Sequence, residues 1–207
     1  NYQLWDHQFQ LPGQTLEASQ TLTTTVQAGS VTHTLAAKGT DTLGDFDYPG
    51  DYAHRFDGID PAGAEQADGV QHVFTANGRA ARLRMERAAC RALTIKGESN
   101  APHLAPGYQF TLSGHYDGDG HYFLTGVTHR ATQSFSRPGQ EDEPPTYENS
   151  FECVPAGRAW RPAAATLVPR IRGTQNAVVV GPAGEQIFTD KYGRIKVQFL
   201  WDRQGKH

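Results

Sequence analysis

The chain has little of what usually carries chemistry or staples a small fold. Its 207 residues include 2 cysteines and 1 methionine. Cys90 and Cys153 are too few and too far apart for a disulfide framework or a thiolate zinc site. Two free thiols, buried or partly buried, are the expected state, with a single disulfide as the alternative. No apolar run approaches the length needed to cross a bilayer as a helix. Charge of one sign is also lacking: 19 Lys and Arg stand against 22 Asp and Glu, a net of -3, so nothing pulls the whole chain toward nucleic acid or an anionic membrane. No glycine-rich phosphate loop opens a helix, and neither a GxSxG elbow nor an HExxH pair occurs. The 9 histidines are scattered, and no two carboxylates sit at a spacing that predicts acid–base geometry.

Turn formers are plentiful, with 22 glycines and 12 prolines. With 37% hydrophobic residues and a mean hydropathy of -0.59, this composition suits a turn-rich, mainly β protein better than a helical bundle. The last thirty or so residues are the most informative. Ala177 to Val180 is apolar and β-branched, and Pro182-Ala183-Gly184 is a turn. Gln186 to Thr189 reads as a second short strand, and Asp190 to Gly193 turns again. Arg194 to Asp202 then alternates. Ile195, Val197, Phe199 and Trp201 share one face, and Arg194, Lys196, Gln198 and Asp202 share the other, the pattern of a half-buried strand. Three short strands with open edges are marginal alone. The chain is therefore expected to be a piece of a longer protein, as the Asn at position 1 also implies.

Earlier in the chain, Pro12-Gly13 is a turn in a stretch of loop and edge-strand character. Thr21 to Val26 and Ser30 to Ala36 form a hairpin around Ala28-Gly29, with Val31, His33 and Leu35 on one side. His33 is there read as a hydrogen-bonded core residue, not a ligand. Tyr48-Pro49-Gly50 is a turn between aromatics, and Asp57 to Gly69 is an exposed loop. Asn77 to Leu93 is the one expected helix, with Ala81, Met85, Ala88, Ala89 and Ala92 on its small-residue face. Its arginines (79, 82, 84, 87 and 91) lack the interleaved aromatics of a nucleic-acid grip and read as a solvated or protein-facing surface. Tyr108, Phe110 and Leu112 alternate with Gln109, Thr111 and Ser113 as a strand. The Asp117-Gly118-Asp119-Gly120 stretch is a hairpin turn, without the downstream acidic ligand of a calcium loop. His115 and His121 flank that turn, and exposure is the expected role for both. Arg137 to Tyr147 is acidic and proline-rich, a mobile loop. Tyr147 to Pro155 is a further strand, and Gly157 to Gly173 an extended, proline-punctuated connector.

VVVGPAGE followed by TDKYGRIKVQFLWDRQGK closely resembles the start of the OB-fold in VgrG, the valine-glycine repeat spike family of bacterial type VI secretion. The order of the other motifs agrees: YPGDY at 48–52, the arginine-rich helix, GESN at 97–100, LAPGYQFTLSGH from Leu104, FLTGVTHRATQ from Phe123 and YENSFECVP from Tyr147. Leu200 departs from a position that is often polar in the family, and it is expected to point outward. The resemblance implies the C-terminal part of a phage-tail-hub-like, β-barrel-like domain at 1–156, a linker at 157–173 and the first strands of a truncated OB-fold at 174–207. It implies a structural puncturing component and no enzyme, with no catalytic, cofactor-binding or metal residues. Its implied partners are two further copies in a homotrimer, the Hcp tube, a PAAR tip protein and effectors, without nucleic acid or stable membrane insertion. Its implied path runs from assembly in the bacterial cytoplasm to secretion into target cells or the medium. The rival readings are a contractile phage or prophage tail hub and, from another class, a hydrolase, with either an unrecognised carboxylate site or an effector domain outside these residues.

Overall fold

The alternating segments pair as antiparallel strands in the computed structural model, which describes residues 1–35, 44–60, 62–133, 144–185 and 187–204. In chain order the elements are β1 (Tyr2–Asp6), β2 (Leu16–Gln20), β3 (Thr25–Ala28), β4 (Val31–Thr34), β5 (Asp45–Asp47), a 3-10 turn at Ala53–Arg55, α1 (Ala67–Ala89), β6 (Ile95–Ser99), β7 (Gln109–Leu112), β8 (Gly120–Thr132), β9 (Thr146–Pro155), β10 (Ala177–Val180) and β11 (Lys196–Phe199). The fold is mainly β, with a single α-helix among the described residues. The chain divides into two units. The first comprises Asn1–Tyr2, Gln20–Asp45 and Arg82–Ala163, and the second Gln3–Ser19, Phe46–Ala81 and Ala164–His207.

The first unit is built on a four-stranded sheet in the order β6-β9-β8-β7. Tyr122, Leu124 and Cys153 are each at most 3% exposed and pack with Ala28 of the β3–β4 hairpin, flanked by Ile95, Phe110, Leu112 and Phe151. The Phe110 ring lies 5.6 Å from Tyr122 and 5.5 Å from Phe151, within the range of favourable ring pairs. Gly29 closes the hairpin at φ +60°, and a Cβ there would stand 2.3 Å from the Asp119 carbonyl oxygen. Glycine is thus required both by its backbone conformation and by the approach of the Asp119–Gly120 turn. Gly97 has a comparable role, because the Phe151 ring lies across it on the neighbouring strand.

The second unit holds most of the sheet β2-β1-β5 and the paired strands β10 and β11. Leu4 and Tyr52 are its most buried large side chains. The Asp6 carboxylate accepts from the Tyr52 and Ala53 backbone N–H groups, each at 2.8 Å, and so ties β1 to the start of the 3-10 turn. The Tyr52 hydroxyl donates to the Leu16 carbonyl at 3.0 Å, and the Gln8 amide reaches the Ala53 and Phe56 carbonyls. Of the two tyrosines of the YPGDY stretch, Tyr52 packs inside and Tyr48 is exposed.

Several expectations are corrected. The helix begins at Ala67, ten residues before Asn77, and ends at Ala89, so the loop expected at 57–69 is shorter and Ala92 lies exposed beyond the helix. Gly69, Val70, Val73 and Thr75 are weak helix formers, but Val70, Val73, Asn77, Ala81, Met85 and Ala89 are all buried. Burial of that continuous face outweighs propensity. The first hairpin strand starts at Thr25, not Thr21. Of the expected strand from Gln186 to Thr189, Gln186 lies outside the described residues and the rest holds one bridge, between Thr189 and Ile195. β11 pairs with β10 in register Ala177 to Phe199 through Val180 to Lys196, but its faces are reversed in burial. Ile195, Val197 and Trp201 are exposed, with Phe199 of the same face half-buried, and Arg194, Lys196 and Gln198 are half-buried. The polar face carries Arg194 into a cluster of charges and rings whose members lie far apart in the sequence. Leu200 points outward as expected, at 76% exposure. The loop expected from Arg137 falls largely on 134–143, outside the described residues.

Candidate functional site

Beyond its cores the chain's most organised side-chain arrangement is centred on Arg194, in the second unit. The turn Asp190–Gly193 places it. The Asp190 carboxylate accepts from the Tyr192 and Arg194 N–H groups at 2.8 and 2.9 Å and from the Arg194 Nε at 2.5 Å. The guanidinium then reaches Asp57 with both terminal nitrogens, at 2.8 and 3.0 Å, the two-pronged geometry that suits arginine and a carboxylate. The Phe9 and Tyr192 rings each stand 5.4 Å from its central carbon. Lys191 adds an ion pair to Glu65 at 3.0 Å. Gly63, at φ +94°, leaves room for the Phe188 ring, which a Cβ would meet at 2.5 Å.

The electrostatics follow from these contacts. The Arg194 side chain, aided by bonds from Gln10 and the Ile59 N–H, outweighs the opposing effect of burial and lowers the Asp57 carboxyl to about 2. Asp57, and next Asp190, hold the Arg194 guanidinium well above its usual range. At Asp190 burial acts upward, but the bonds from Arg194 and Tyr192 prevail and the net shift is downward. A carboxyl lowered on folding adds stability above its unfolded value near 3.8, and that stability is lost as pH falls toward 2. Arg194 and Asp57 are 37% and 42% exposed, so solvent screening limits the pair to about 1 kcal/mol, or about 2 with the ring contacts included. Arg194→Met is therefore expected to raise amide exchange across 177–199 by roughly tenfold while β8 and β9 keep their protection, and to flatten the acid limb of stability between about pH 4 and 2. Unchanged exchange across 177–199 would contradict this reading.

The sequence marked other residues for chemistry, and the structure places them apart. His121 Nδ1 bonds the Thr111 hydroxyl at 2.9 Å. His115 stays with its own turn, stacking on Tyr116 and accepting from the Asp117 N–H. The Asp119 carboxylate accepts from the His115 N–H at 2.7 Å and the Tyr122 hydroxyl donates to the Gly118 carbonyl at 2.7 Å, so the DGDG stretch is a self-bonded turn. His33 is half-buried on the inward side with Val31 and Leu35, but its Nε2 has no hydrogen-bond partner. Both cysteines are free thiols, and burial raises Cys153 to about 11, far from a nucleophile's range. Glu148 is spoken for by Arg130 at 3.0 Å. Among the described residues, no group of three His, Cys, Asp or Glu side chains could hold a metal ion. Asp57 and Arg194 were not legible as partners, since they lie 137 positions apart. The local signal was the Asp190–Arg194 spacing across a glycine turn.

Residues 2–135, more than half of the 207, match the family model described as phage tail baseplate hub (GPD). The chain belongs to that family and is of the VgrG type. It is 33% identical over 200 residues to the type VI secretion system spike protein VgrG1b of Pseudomonas aeruginosa, covering 96% of this chain and 23% of that protein. VgrG2b of the same organism is 38% identical over 167 residues, 78% of this chain and 14% of the relative. The actin cross-linking toxin VgrG1 of Vibrio cholerae is 37% identical over 133 residues, 61% of this chain and 12% of the toxin. The chain thus spans less than a quarter of the length of each of these curated relatives. The Pseudomonas relatives are named as spike proteins of a secretion machine, which favours a spike over a phage tail hub.

Proposed function

We propose that this chain is the hub portion of a type VI secretion spike and acts mechanically, without transforming a substrate. The observation that carries the reading is the similarity to VgrG1b along 96% of the chain. A mainly β unit with a ring-packed core and a bonded sheet suits a part that must transmit force without deforming. In this reading residues 1–156 are hub, 157–173 connect, and 174–207 open an OB-fold whose exposed Val179, Val197 and Trp201 await the remainder of that domain. The amide-exchange measurement on Arg194→Met bears on this division. Exchange rising equally in β1 and β2, which belong to 1–156 but share the second unit with Arg194, would join the two spans as one cooperative unit and count against it.

The intact protein is read as a homotrimer that caps the Hcp tube, carries a PAAR tip and effectors, and assembles in the bacterial cytoplasm before delivery into target cells or the medium. Trimer contacts would be of the obligate kind, resting on area and shape. Deleting the gene in its host, with other spike genes also removed, is expected to reduce Hcp in the culture medium to background, and restoring it to recover secretion. Full Hcp release without any spike gene would contradict the proposal.

A further inference from the structure

The sheet β2-β1-β5 has an inner and an outer face. Leu4 and Leu16 are buried on the inner one. Strand alternation puts Gln3, Trp5 and Glu17 on the other, and Phe46 joins them there, its ring edge to face with Trp5 at 5.8 Å. The Glu17 carboxylate accepts from the Gln3 amide. Tyr48 follows just past the end of β5. Trp5, Phe46 and Tyr48 are 40%, 60% and 57% exposed. Three large rings grouped in water are a feature of surfaces that meet another macromolecule. Their setting is acidic. From Asp45 to Asp51 the chain holds three aspartates and no basic residue, and Asp45 and Asp51 are exposed.

The complement to this surface is on the same chain. From Arg79 to Arg91 there are five arginines and one glutamate. Arg79 and Arg87 are both exposed. They stand two turns apart on α1, about 12 Å along its axis, on the side away from the buried Ala81 and Met85. Arg91 is exposed just past the helix end.

We propose that the outer face of β2-β1-β5 in one copy docks against the arginine side of α1 in a second copy of this chain. Guanidinium groups stack on aromatic faces and pair with carboxylates, and rings and arginines are the side chains most enriched at the centres of protein interfaces. The two surfaces differ, so the contact is head-to-tail. Contacts of that kind close into a ring when the rotation between copies allows. The inference rests on the homotrimer proposed above and names the surfaces that would meet in it.

The test places the photo-reactive residue p-benzoylphenylalanine at Phe46 of the intact protein, irradiates it and resolves the product on a denaturing gel. The expected product is two chains joined, with the new bond mapped by mass spectrometry to residues 72–91 of the second chain. Arg79→Ser combined with Arg87→Ser should cut its yield at least tenfold and leave the Tm within about 2 °C, since both side chains are exposed. The same photo-reactive residue at Tyr108, 70% exposed in the first unit, should form no bond to α1. A bond from Tyr108 to α1 overturns the proposal. So does a bond from Phe46 within its own chain, to another segment of the second chain or to a different protein. A particle with the mass of three copies and no bond from Phe46 to α1 sinks the interface and leaves the trimer standing. A monomeric particle sinks both.

Discussion

Tyr52→Ala is expected to destabilise the second unit by about 4 kcal/mol, the cost of deleting a fully buried aromatic ring and leaving its space unfilled. Tyr52 is 2% exposed, and it is held at both ends. Its backbone N–H donates to Asp6 at 2.8 Å and its hydroxyl to the Leu16 carbonyl at 3.0 Å. The ring also fills the space over Gly50, where a Cβ would stand 2.6 Å from it. Tyr52→Phe separates the two contributions. It keeps the ring, strands the Leu16 carbonyl and should cost about 1 to 2 kcal/mol. Urea denaturation followed by near-ultraviolet circular dichroism, with exchange protection read in β1 and β2, would measure both. A loss below about 1 kcal/mol for Tyr52→Ala would show that the ring is not the unit's anchor.

The first unit has its counterpart in Leu124→Ala, expected to cost about 3 kcal/mol and about 10 °C in Tm. Leu124 is 1% exposed and faces Cys153 across the β8–β9 pair, beside the register shift between Leu124 and Gly126. Its N–H donates to the Tyr108 carbonyl and its own carbonyl accepts from Gly107, both at 2.9 Å. The backbone there is pinned, so it cannot collapse into the vacated space, which places the cost in the middle of the range for such truncations. Leu200→Ala, at a site 76% exposed, is the matched control and should change the Tm by less than about 2 °C. Equal effects at the two sites would contradict the placement of the core.

How much could be read in advance depended on whether the cause was local. The hairpin at 25–34 and the strands around Phe110, Leu124 and Phe151 were legible because alternation and turn glycines act over a few residues. The first turns of α1 were not, because Gly69 and the β-branched Val70 and Val73 argue against a helix that only burial of their shared face secures. The pattern of β11 predicted a strand correctly and its burial wrongly. Alternation says which residues share a face, but the clustering of Arg194 with Asp57, Phe9 and Tyr192 decides which face is covered. Those partners come from three separate stretches of the chain. The family resemblance was carried by motif order, and the similarity to the Pseudomonas spike proteins accords with it.

The most direct measurement of the central claim is the mass of the intact protein, of which this chain is similar to the hub portion, by light scattering coupled to size exclusion. The account predicts three copies per particle, stable to dilution. A stable monomer of the intact protein would contradict it.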